Sequence, residues 1–289
     1  MIERRLRYRP PLAAETLVRF LGDRTIPGVE SFDGETFRRA VRMPDARAAV
    51  IELAARPERQ DVRLRILNEV DIDPSALVGT ARRLLDLDTD PSTVDTALSS
   101  DPTLRPLVRT TPGIRLPGTV DGFELVVRAI LGQQISVRAA RTFAGRIAQA
   151  CGTRLERPIG DVAYLFPCAE LLATSRLDGL GLTTARQATL RRVAELVAAG
   201  ELDLSGAADL EETRERLLAV RGIGPWTVAY VSMRALGDTD AFPVGDLGVR
   251  LGFESLGLAS TAAAMRDHAE RWRPWRAYAV MHLWNSLHG

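Results

Sequence analysis

The segment Leu217-Leu218-Ala219-Val220-Arg221-Gly222-Ile223-Gly224-Pro225-Trp226-Thr227 holds the residues best suited to grip an anion. A helical run ends, two glycines flank one aliphatic residue, and a second helix starts with proline near its first position, where a missing N–H costs nothing. Such a helix-hairpin-helix turns the free amides of the second helix outward, where a nucleic-acid phosphate can accept from them. Gly222 and Gly224 supply conformational freedom and close approach, and Ile223 can anchor the turn in a core. An ordinary tight turn between two helices has the same pattern. Downstream, Asp240-Ala241-Phe242-Pro243-Val244-Gly245-Asp246-Leu247 brings a carboxylate to the start of another helix, 22 residues after Gly224. Asp246 can cap that helix, act as a fixed charge, or do both, because a capping position also fixes the direction of its side chain.

Composition removes several chemistries. All 38 basic residues are arginine, so a lysine imine is excluded and only the α-amino group could form one. Cys151 and Cys168 are the only thiols, and His268, His282 and His288 sit at the far end, too few ligands at unsuitable spacing for a disulfide framework, a zinc site or an iron–sulfur cluster. The opening Met1-Ile2-Glu3-Arg4-Arg5 is charged, and no stretch nears the ~18 apolar residues of a membrane span. The expectation is a soluble, cytoplasmic, metal-free protein. The net charge is only +1, but residues 113–200 hold 11 arginines against seven acids, whereas 201–250 hold nine acids against five arginines. Contact with a polyanion should therefore be local, with a shallow salt dependence.

A chain of 289 residues suggests two domains. The first part alternates as half-buried strands do, roughly at Phe37–Met43, compactly at Ala49–Leu53 and almost perfectly at Val62–Leu67. Helical spacing interrupts it at Leu12–Leu21 and Leu77–Leu85, giving an α+β class with an antiparallel sheet. A proline- and glycine-rich stretch around Thr111-Pro112-Gly113 marks a boundary, with domains at 1–112 and 113–289. Beyond it the spacing is helical throughout. Helices are expected at Phe123–Leu131, after Ser136 as N-cap, and at Ala185–Ala199, Glu211–Val220, Trp226–Leu236, Leu247–Leu256 and Ala262–Arg271.

The hairpin, the aspartate loop and the run Trp272-Arg273-Pro274-Trp275-Arg276-Ala277-Tyr278-Ala279-Val280-Met281-His282-Leu283-Trp284 together resemble the helix-hairpin-helix DNA glycosylases of the 3-methyladenine DNA glycosylase II (AlkA) branch. Leu116-Pro117-Gly118, Ala129-Ile130-Leu131-Gly132-Gln133-Gln134-Ile135-Ser136-Val137 and the N-terminal Pro10-Pro11 and Phe20-Leu21 agree, so the resemblance covers essentially the whole chain. It implies an α+β N-terminal domain followed by an all-α glycosylase domain. The implied activity is hydrolysis of the N-glycosidic bond of alkylated bases such as 3-methyladenine and 7-methylguanine in double-stranded DNA.

By the same resemblance Asp246 is the catalytic carboxylate, facing a nucleotide rotated out of the duplex. Trp226, Tyr230 and Trp284, with Phe20 from the N-terminal domain, would line the base pocket, where an N-alkylated base is cationic and attracted to aromatic faces. Arg221, Gly222, Ile223 and Gly224 would bind DNA together with Gln133 and Gln134, the latter at the position of the family's intercalating wedge. Lyase-active relatives carry a lysine where this chain has Trp226, so a monofunctional hydrolase is implied. No cofactor is expected, although the hairpin could hold a monovalent cation, and the protein is expected to be a monomer. Two departures bear on lesion range: the wedge is commonly apolar, and an aromatic commonly follows the aspartate, where this chain has Leu247. A DNA-binding module without turnover and an oxidised-base glycosylase with lyase activity are the competing readings.

Overall fold

The computed structural model describes residues 2–68 and 73–288. The N-terminal part is an antiparallel sheet of β1 (Ile2–Arg7), β2 (Glu30–Phe32), β3 (Thr36–Arg42), β4 (Ala48–Arg56) and β5 (Asp61–Ile66), in the order β1-β5-β4-β3-β2. Period two has a direct structural cause in β5. Val62, Leu64 and Ile66 face the core, while Arg63 and Arg65 point the other way and meet Glu52 of β4 at 3.7 and 3.0 Å. β1, with its charged edge residues, and the three-residue β2 do not stand out from the sequence.

Helix α1 (Ala14–Gly22) follows β1, and α2 (Ser75–Leu84), α3 (Pro91–Leu98) and α4 (Arg105–Thr110) follow β5. The chain then forms α5 (Gly122–Gly132), α6 (Val137–Cys151), α7 (Ala169–Thr174), α8 (Thr184–Ala198), α9 (Leu210–Leu218), α10 (Pro225–Arg234), α11 (Leu247–Ser255), α12 (Ala262–Ala269) and α13 (Arg276–Ser286). Ser136 caps α6 as expected, its side chain accepting from the Ala139 amide. One feature departs from the helical pattern: between α6 and α7 lies a two-stranded hairpin, β6 (Thr153–Ile159) and β7 (Val162–Leu165). Its Leu155, Val162 and Leu165 cover Ala40 and Val50 on the outer face of the large sheet. Burial on both faces explains why β4 reads as a continuous apolar run rather than an alternating one.

The apolar clusters do not follow the order of the chain. One runs from the sheet and α1–α4 into Phe253, Trp272, Tyr278 and Leu283 of the C-terminal helices; the other holds α5, α6, α8 and the α9–α10 hairpin. Polar clamps secure the first union. Trp272 Nε1 donates to Asp101 Oδ2 at 2.7 Å, and the Tyr278 hydroxyl lies 2.8 Å from Asp86 Oδ2. Between the two bodies, buried Arg39 reaches both Glu30 and Glu124 at 2.8 Å, and Arg128 joins the same carboxylates. Tyr230 packs against both clusters. The seam between them therefore runs past α10, α11 and α13.

His282 on α13 is 2% exposed and neither ring nitrogen has a hydrogen-bond partner. Burial pushes its pKa down to about 4. The unfolded chain takes up this proton near pH ~6.5, before the folded protein does, so stability falls as pH drops from about 6.5 to about 4. His282→Leu should remove roughly 3 kcal/mol of that acid-side loss, read as a flatter dependence of the urea midpoint on pH. An unchanged slope would show the imidazole protonating in place.

Candidate active site

Asp246 caps α11, with Oδ1 accepting from the Val249 amide at 2.9 Å. The same oxygen accepts from Trp284 Nε1 at 2.9 Å, and Oδ2 accepts from Trp226 Nε1 at 2.9 Å. Three N–H groups thus hold one half-buried carboxylate, each from a different helix. Capping therefore leaves Oδ2 and part of Oδ1 directed at the two indoles. A carboxylate gripped by donors on α10, α11 and α13 cannot swing to another rotamer without breaking at least one charge-assisted hydrogen bond.

The aromatic residues named from the sequence form one cluster. Trp226 stacks on Tyr230 with centroids 5.4 Å apart, Phe20 stacks on Trp284 at 6.2 Å, and Tyr230 lies 6.3 Å from Trp284 at a tilt of 46°. Sequence reasoning treats the two tryptophans as faces for a base. The geometry adds that their edges orient the aspartate. Trp284 can reach it because α11 begins with an open turn: a Cβ on Gly248 would lie 2.7 Å from Cδ1 and 2.9 Å from Nε1 of that indole.

The hairpin forms between α9 and α10, with Ile223 7% exposed in the second cluster. Gly222 is demanded by the fold, having φ +96° and leaving only 2.2 Å between an added Cβ and Thr189 Oγ1. Gly224 differs from the expectation. Its φ of −113° is ordinary and nothing lies within 4 Å of where its Cβ would be, so local geometry does not require glycine there. Open space instead lies over the start of α10, which has no side-chain cap. Arg221 is exposed beside it.

Gln133 and Gln134 serve different ends. The Gln133 amide donates to the Gly222 carbonyl and to Thr227 Oγ1, both at 2.9 Å, and its own carbonyl accepts from Arg186. It ties the α5–α6 loop to the hairpin. Gln134 is exposed at the tip of that loop with φ +60°, a left-handed conformation rare for a side-chained residue and one that a functional loop can retain. Leu247, beside the aspartate, is 59% exposed, unusual for leucine.

The sequence reading omitted the cations around the cluster. Arg24 and Arg234 stand four residues after Phe20 and Tyr230, and that i, i+4 spacing of aromatic and arginine was the available signal. Burial raises the pKa of the Tyr230 phenol, but Arg234, Arg24 and Arg128 together bring it below its ordinary value. Arg234 is itself pushed down to about 10 by burial. Among the described residues no cluster of histidine, cysteine or carboxylate side chains could hold a metal, and no helix is long and apolar enough to cross a membrane.

An uncapped hairpin helix beside a fixed carboxylate in an aromatic cluster, at the seam of an α+β and a helical part, suits cleavage of a bond to an extruded planar group. The family model of the HhH-GPD superfamily of base excision DNA repair proteins matches residues 127–277, and that of the AlkA N-terminal domain matches residues 3–121. The chain belongs to this superfamily. It is 33% identical over 285 residues to DNA-3-methyladenine glycosylase 2 of Escherichia coli, covering 96% of this chain and 95% of that one. It is 40% identical over 283 residues to a probable bifunctional transcriptional activator/DNA repair enzyme AlkA of Mycobacterium tuberculosis, covering 98% of this chain and 56% of that protein. The chain thus spans little more than half the length of the latter. Among solved structures, a 3-methyladenine DNA-glycosylase from Archaeoglobus fulgidus superposes with a TM-score of 0.81 at 25% identity, covering 98% of this chain and 97% of that one.

The close seat of Trp284 on Gly248 carries a structural prediction. In a ¹H–¹⁵N spectrum, Gly248→Ala should displace the Trp284 indole N–H resonance, because a carboxylate acceptor is lost, while that of Trp272 on Asp101 stays. Four unmoved indole resonances would place Trp284 elsewhere.

Proposed function

We propose that the protein is a monofunctional DNA glycosylase that hydrolyses the N-glycosidic bond of alkylated bases, of the 3-methyladenine and 7-methylguanine type, in double-stranded DNA. The observation that carries this reading is the Asp246 carboxylate held by two indole N–H groups and its own helix. Breaking an N-glycosidic bond leaves an oxocarbenium-like sugar. A negative charge ~4 Å away at an effective dielectric of ~20 stabilises it by roughly 4 kcal/mol, or about three decades of rate. Held in advance, that charge needs no reorganisation as the bond breaks.

The other parts supply substrate. Free amides at the start of α10, with Arg221 beside them, would take a backbone phosphate. Gln134 on its exposed turn would enter the stack as the base leaves, and a polar wedge favours pairs already weakened by damage. Trp226, Tyr230, Trp284 and Phe20 would receive the base, and a cationic alkylated base gains most from their faces. Trp226 cannot form an imine and the chain has no lysine, which supports simple hydrolysis to an abasic site without a cofactor. The protein acts as a monomer on this reading.

The test is release of free 7-methylguanine from methylated duplex DNA. Wild type should release it, and Asp246→Asn should lose about three decades of single-turnover rate while keeping its affinity for abasic DNA. Borohydride should trap no lysine-linked adduct. Full activity in Asp246→Asn removes the aspartate from its role; no release by wild type leaves a DNA-binding module without turnover.

A further inference from the structure

Two arginines stand against rings that the proposed reaction would need. The Arg24 guanidinium carbon lies 3.8 Å from the centroid of Phe20, and that of Arg234 lies 4.7 Å from the same ring and 5.8 Å from Tyr230. Phe20 also stacks on Trp284, so a cation already occupies the aromatic surface that a cationic base would seek. The two arginines are not equally fixed. Arg234, 5% exposed, donates to the carbonyls of Pro117 and Gly118 and to the Tyr230 hydroxyl, which makes it part of the wall. Arg128, close by, is paired with Glu30 and Glu124. Arg24 is held more loosely than either. Its guanidinium makes one hydrogen bond among the described residues, to the Phe20 carbonyl at 3.2 Å, and no salt bridge. Burial lowers its pKa, partly offset by Tyr230 and Asp23.

We propose that Arg24 is the resident cation of the base pocket, seated on Phe20 until an extruded base displaces it. The inference rests on the glycosylase reading. Every entering base must give up the Arg24–Phe20 contact before gaining its own. A neutral, undamaged base offers stacking alone in exchange. A cationic alkylated base restores both the stacking and the cation–π attraction and so offsets the cost of displacing the arginine more fully. Displacement is feasible because no ion pair has to break, and the phosphates of bound DNA offer the released guanidinium an anion.

The test compares wild type, Arg24→Met and Arg24→Lys in single-turnover release of 7-methylguanine and in affinity for abasic DNA, which brings no base to the pocket. Arg24→Met should raise the release rate about tenfold, the scale of one cation–π contact, with abasic-DNA affinity within about twofold. Arg24→Lys, which keeps a cation, should stay near wild type. A release rate that is unchanged or lower in Arg24→Met overturns the proposal, as does an equal rise in abasic-DNA affinity. Arg24→Gln replaces Arg24→Met if the latter does not fold. Should wild type release no base, the glycosylase reading fails, and binding of the cationic nucleoside 1-methyladenosine, followed by indole fluorescence, decides the pocket. Tightening by about tenfold in Arg24→Met supports the resident cation, and unchanged affinity removes it.

Discussion

A single carboxylate held by three N–H donors is the constraint on which the rest depends. The Val249 amide fixes Asp246 relative to its own helix, and the indoles of Trp226 and Trp284 fix it relative to α10 and α13. Those helices belong to different apolar clusters, so the carboxylate is placed correctly only when both bodies of the protein are assembled. The buried ion network of Arg39, Glu30, Glu124 and Arg128 is expensive to desolvate. Its place is across the seam, where it fixes the orientation of the sheet against α5. The cluster that joins α1–α4 to α11–α13 does the same on the other side.

Aromatic side chains have two uses in this arrangement, and the two reinforce each other. A tryptophan edge that donates to Asp246 leaves its ring face perpendicular to that bond, so orienting the charge also orients the surface that would receive a base. The packing of Gly248 against Trp284 and the stacking of Phe20 on the same ring hold that surface in place. Beside it stand Arg24 and Arg234, which carry no salt bridge among the described residues, while Arg128 is paired with Glu30 and Glu124. On the proposed function, Asp246 would meet the sugar and Arg24 and Arg234 would lie on the side of the base. A base that leaves with its electrons gained from the glycosidic bond is favoured by that polarity.

The hairpin, the aspartate at a helix start and the strands at 37–43, 49–53 and 62–67 were legible because each carries a local signal: glycine and proline punctuation, a cap, or period two. Asp246, Trp226, Tyr230, Trp284 and Phe20 could be named individually through resemblance, and the structure brings all five together. How they touch was not legible. A hydrogen bond between residues 226 and 246, or 246 and 284, depends on helix crossings that no local pattern encodes. The β6–β7 hairpin was hidden because its polar residues face outward and its few apolar ones have irregular spacing, broken by a register shift between Arg154 and Ile159. Gly224 shows the reverse: a glycine credited with conformational freedom has an ordinary backbone conformation.

The central claim is that a fixed negative charge stabilises a positive sugar. It is tested most directly by the affinity of wild type and Asp246→Asn for two DNA duplexes, one carrying a neutral tetrahydrofuran abasic site and the other a cationic pyrrolidine in its place. The account predicts that wild type prefers the cationic ring by up to about three decades and that Asp246→Asn loses this preference while still binding the neutral site. Equal affinity of wild type for both rings, or a preference that survives in Asp246→Asn, would contradict it.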